Sequence, residues 1–167
     1  MHRKVILLFT NMLIAAVPSA AQNKEPDPMI ELHARCTDDA QCRFHEGATL
    51  NIELELRNAG SEPVSLPLEY IRQRGPSVRV YDNHTELSTA LRTKLAAAAL
   101  RDQLQVLEAG QSIRFSFPVK PQEISRSALR PVDVSLEFSI NLTPGLSGEE
   151  ANMVRKRLRV IGAEGSN

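Results

Sequence analysis

The densest chemistry in the chain lies at residues 33–45, HARCTDDAQCRFH, where His33-x-x-Cys36 is mirrored by Cys42-x-x-His45. Two imidazoles and two thiols have the types and number of a tetrahedral zinc site. The competing chemistry is oxidation, since Cys36 and Cys42 are the only two cysteines present and a bridge between them would close a small hairpin loop. The bridge is the favoured expectation, because thiols in an oxidising compartment pair readily and closing a loop of this size is worth about 2 kcal/mol. On a strand, moreover, His33 and Cys36 point to opposite faces. The alternative is a small periplasmic metal-binding protein that uses His33, Cys36, Cys42 and His45.

Nothing else in the chain assembles a reactive centre. Gly145-Leu146-Ser147-Gly148 lacks the second spacer of a nucleophile elbow. The acid pairs Asp38-Asp39 and Glu149-Glu150 sit in polar stretches, where no burial pushes a carboxyl toward an acid or base role. The chain therefore reads as noncatalytic, with no cofactor and no metal. Two basic groups remain as candidate contacts for a partner protein: Arg92, Lys94 and Arg101 in one segment, and Arg155, Arg157 and Arg159 near the end. The second group reads first as charge that protects an edge strand from unwanted pairing, with a docking surface for an acidic partner as the alternative.

Composition and the chain ends narrow the field. Met1-His2-Arg3-Lys4, the apolar run 5–17 and Pro18-Ser19-Ala20-Ala21 have the order of a secretory signal peptide, with cleavage expected after Ala21. The run is too short for a membrane anchor, for which about 20 apolar residues are needed. Removal of residues 1–21 leaves 146 of the 167 residues, with 18 basic against 20 acidic side chains. That balance argues against nucleic acid, whose phosphates require a concentrated basic face. Aromatic residues are 4% of the chain and tryptophan is absent, so glycan binding by stacked rings is disfavoured. A soluble protein, periplasmic or secreted, that meets another exported protein is the remaining expectation.

The elements that must position these residues are read from periodicity. Leu50, Ile52, Leu54 and Leu56 alternate with Asn51, Glu53, Glu55 and Arg57, the mark of a strand with one dry face. Asn58-Ala59-Gly60-Ser61 breaks the pattern, and Val64, Leu66 and Leu68 resume it as a second strand. Further strands are expected at 30–36, from Cys42, at 77–81, 112–119 and 132–142, and around Leu158 and Val160. Pro118 marks the 112–119 strand as an edge or a strand end. Residues 121–131 read as a loop. Leu87, Leu91, Leu95 and Ala98 recur at helical spacing through an alanine-rich stretch, which predicts a short helical insert over 86–101. The fold expected is all-β, an immunoglobulin-like two-sheet sandwich of about seven strands spanning 30–162, with a flexible leader at 22–29 and a disordered tail at 163–167. Phe115, Phe117 and Phe138 are its largest core candidates.

Three pieces in this order carry a family likeness: LELRNAGSEPVSLPL at 54–68, Val78-Arg79-Val80-Tyr81, and Leu107-Glu108-Ala109-Gly110-Gln111-Ser112 followed by an alternating strand. Over residues 50–142 the chain resembles the immunoglobulin-like accessory domain that precedes the catalytic domain in deuterolysin-type and peptidyl-lysine secreted zinc metalloproteases. The resemblance implies the sandwich and an exported life. Those enzymes bind zinc on a separate domain through His-Glu-x-x-His, and that motif is absent from this sequence.

Overall fold

The structure, a computed structural model, describes residues 30–144 and 152–163. The expected signal peptide and leader, Ser147, Glu149-Glu150 and residues 164–167 lie outside the described residues. The protein is all-β, with ten strands and two short helices among the described residues. Strands β1 (Ile30–Cys36), β3 (Leu50–Asn58) and β8 (Ser112–Val119) form one antiparallel sheet with β3 at its centre. The other main sheet runs β2 (Arg43–Phe44), β10 (Met153–Gly162), β9 (Asp133–Asn141), β5 (Ser77–Asp82), β6 (Ser88–Ala90). A two-stranded ribbon joins β4 (Val64–Leu66) to β7 (Gln105–Leu107).

The alternation in the sequence becomes alternation of burial. On β3, Ile52, Leu54 and Leu56 are wholly buried, each stabilising by about 1.5–3 kcal/mol relative to exposure. On β9, Val134, Leu136, Phe138 and Ile140 do the same from the five-stranded sheet. The two rows belong to one core, and the rings of Phe117 on β8 and Phe138 on β9 meet edge to face with centroids 5.9 Å apart. Phe138 is wholly buried, whereas Phe115 and Phe117 lie only partly buried at its margin. Pro118 sits on β8, an edge strand of its sheet, where its missing N–H leaves no gap between strands.

The outer faces carry cross-strand ion pairs. Glu53 on β3 accepts from Arg35 on β1 at 2.6 Å, and Glu55 pairs with Arg114 on β8 at 3.2 Å. Such exposed pairs add little stability but fix the register of their strands.

Several expectations are corrected. The strand count is ten rather than seven, because β2, β4, β6 and β7 have only two or three residues each. Leu68 does not extend β4. It opens a helix, α1 (Leu68–Arg74), that ends at Gly75, whose φ of 69° suits glycine. Part of the loop at 121–131 is a second helix, α2 (Pro121–Ser125).

The helical insert at 86–101 is absent. Those residues give the short strand β6, an extended strap and one 3₁₀ turn at Ala98–Arg101. Helical preference among ordinary residues is worth only tenths of a kcal/mol per residue, and an isolated helix this short is marginal. Against it stands the pairing of β6 with β5, opposite Arg79, Val80 and Tyr81.

Candidate functional site

Cys36 and Cys42 are joined, with Sγ atoms 2.10 Å apart and Cα atoms 5.4 Å apart. The bridge does not close a hairpin. Cys36 ends β1 in the three-stranded sheet, while Cys42 leads into β2, which pairs in parallel with β10 in the five-stranded sheet. The bond therefore ties the two main sheets together where the chain crosses between them. Asp39 organises the crossing: its carboxylate accepts from the backbone N–H groups of Gln41 at 2.9 Å and Arg43 at 3.3 Å. The Gln41 bond, foremost, holds the Asp39 carboxyl below its ordinary range. Both sulfurs of the four-ligand arrangement are thus bonded to each other. His33 lies on the outer face beside Glu31, at 3.0 Å, and His45 is exposed beyond β2. Among the described residues no three His, Cys, Asp or Glu side chains come together as a metal would require.

His45 shares a pocket wall with a second histidine. Together with His84, Arg43 and Asp133 it lines a concave surface of about 730 Å³. No serine, threonine or cysteine is among the residues that line it, and Asp133 is already engaged. Its two oxygens accept from Arg159 at 2.9 and 2.6 Å, and Oδ1 also accepts from Asn83 at 2.7 Å. These bonds, the Arg159 guanidinium first, lower the Asp133 carboxyl to about 2. A group held so firmly as a carboxylate is a poor general base at neutral pH.

The basic last strand is correspondingly less free than its sequence suggests. Arg159 belongs to Asp133, and Arg157 donates to Glu137 at 2.7 Å while stacking 4.7 Å from the Tyr81 ring centroid. Each guanidinium is raised by its carboxylate partner. Arg155 faces Ser139 across the ladder and has no ion pair among the described residues.

The strap behaves in the opposite way. Its leucines were expected to pin a helix to the sheet, yet Leu87 is 72% exposed and Leu95 is 91% exposed. Only Leu91 packs against the core. Leu104 and Val106 are exposed as well, so the segment carries four large apolar side chains in solvent. Arg92 and Lys94 stand exposed among them without ion pairs to described residues. The strap is fastened by polar contacts instead: Ala97 N–H donates to Gln73 of α1 at 2.7 Å, and the Arg101 guanidinium lies 5.5 Å from the Tyr70 ring centroid. Helix α1, which supplies both anchors, was missed in the sequence. Leu68 and Ile71, three apart and followed by Gly75, were its local signal.

No known protein-family profile matches the chain, and no curated protein matches it. Solved structures do, at low identity. A structural-genomics target is 8% identical with a TM-score of 0.40 over 83% of this chain and 90% of its own. A Bordetella pertussis protein described as ApaA is 11% identical with a TM-score of 0.39 over 81% and 94%. A β-glucosidase from Listeria innocua is 15% identical with a TM-score of 0.37, and this chain covers only 16% of it. At TM-scores below 0.5 these likenesses decide neither fold family nor function.

Proposed function

We propose that this is an exported, noncatalytic module of immunoglobulin-like two-sheet design that binds another protein through its strap, as inhibitors, immunity proteins and accessory subunits do. The observation that carries the reading is the exposure of Leu87, Leu95, Leu104 and Val106 within one segment that also presents Arg92, Lys94 and Arg101. Apolar side chains held in water along one segment that also carries exposed cations fit a partner that offers an apolar patch edged with acidic groups. Export is supported by the signal-like residues 1–21 and by the disulfide. No helix among the described residues is long and apolar enough to cross a membrane. The likeness to metalloprotease accessory domains rests on the sequence pieces at 54–68, 78–81 and 107–112. Arg155 at the margin of β10 is a secondary contact, while Arg157 and Arg159 serve their own sheet.

Capture from the exported fraction on immobilised wild type and on a Leu87→Ser, Leu95→Ser, Arg92→Glu, Lys94→Glu variant tests this. A partner retained by the wild type and lost by the variant, at equal thermal stability, is the expected result. A partner retained equally by both would move the binding surface off the strap.

A further inference from the structure

Beneath the strap lies a pocket of about 360 Å³ where α1 and the 3₁₀ turn approach the start of β5 and the end of β9. Its polar lining includes Tyr70, Arg74 and Arg101, its apolar lining Ile71, Ile140 and Met153, and no carboxylate is among the described residues that line it. Tyr70 is only 5% exposed, and its hydroxyl makes no hydrogen bond to a described residue. The ring is used, as a platform for Arg101, but the donor at its end is not. Arg74 likewise has no ion pair among the described residues. The one acid of α1, Glu69, pairs with Arg72 at 3.7 Å, so it does not neutralise Arg74.

We propose that this pocket is a binding site for a compact oxyanion, a carboxylate or phosphate group, received by Arg74, Arg101 and the Tyr70 hydroxyl. No buried side-chain polar atom among the described residues lacks a partner, so the Tyr70 hydroxyl reaches solvent and can donate to an acceptor that enters the pocket. Guanidinium groups recognise planar or tetrahedral oxyanions through paired N–H bonds, and stacking on an aromatic ring fixes one guanidinium in place while leaving its N–H edge free. The volume is at the small end of ligand pockets, and Ile71, Ile140 and Met153 would cover a short apolar body behind the charged group. The site is independent of the protein-binding reading, because its test needs only small molecules.

Isothermal titration of the full chain with sodium hexanoate and, separately, with inorganic phosphate provides that test, alongside Arg74→Gln, Tyr70→Phe and, as a control for loose ionic attraction, Arg57→Gln on the outer face of β3. Saturable binding of either probe, weakened roughly tenfold or more by Arg74→Gln, weakened also by Tyr70→Phe and unchanged by Arg57→Gln, is expected. Tyr70→Phe keeps the ring and hence the packing, so its effect reads the hydroxyl alone. Hexanoate binding far more tightly than phosphate assigns a carboxylate on an apolar body, and the reverse assigns a phosphate. Absence of saturable binding by both probes, or binding that Arg57→Gln weakens as much as Arg74→Gln, overturns the proposal.

Discussion

The Asn58 side chain donates to the carbonyl oxygen of Leu107 at 2.9 Å, across 49 residues of sequence and inside the core. Asn58 is wholly buried, and every polar atom of its amide is used: Nδ2 also donates to the Glu62 carbonyl at 2.7 Å, and Oδ1 accepts from Gly60 N–H at 3.0 Å. Its backbone pairs with the same distant stretch, donating to Gln111 and accepting from Gly110, whose φ of 76° suits glycine. One side chain therefore closes the turn after β3 and clamps it to the β7–β8 connection.

Asn58→Ala should lower stability by about 2 kcal/mol or more, since removing the amide leaves buried partners unsatisfied. Urea unfolding measures it. A midpoint within error of the wild type would show that water replaces the amide freely and that the clamp is unimportant.

Replacing both cysteines with serine should lower stability by about 2 kcal/mol while leaving one cooperative β-type transition. The core lies elsewhere, and β1 keeps its full pairing with β3. Noncooperative melting would mean instead that the bond between the two sheets is what holds them in one unit.

Acid should weaken the protein through Asp133. Its pKa is about 2 in the folded chain against an ordinary 3.8, so its contribution is fully present above about 3.8 and fades as pH falls from there through about 2. Buried Asp82 acts in the same direction, its carboxyl lowered by the backbone N–H of His84 first and then of Leu129, against the opposing effect of burial. Stability of Asp133→Asn, followed by chemical unfolding from neutral to acid pH, should fall less steeply than that of the wild type below pH 3.8. Parallel curves would remove Asp133 from the acid response.

Phe138→Ala should cost roughly 3–5 kcal/mol, because the wholly buried ring meets Phe117 from the opposite sheet. Leu95→Ser should leave the unfolding midpoint nearly unchanged, as expected for a side chain 91% exposed. A large loss for Leu95→Ser would mean that the strap is a structural plug.

What the sequence settled by itself was everything decided between near neighbours. Period-two alternation made Leu50, Ile52, Leu54 and Leu56 one buried row, because successive strand residues face opposite ways whatever lies beyond. The two cysteines, six apart, could find each other for the same reason of proximity. The tertiary structure decided what depends on distant partners. Leu87, Leu91 and Leu95 have helical spacing, but pairing of β6 with β5 outweighed a local preference of tenths of a kcal/mol per residue. Arg157 and Arg159 look alike with Arg155 until β9 places Glu137 opposite Arg157 and Asp133 diagonally across from Arg159. Arg101 is distant in sequence from Tyr70 and Arg74 and shares a pocket with them only because α1 and the 3₁₀ turn meet over the sheet.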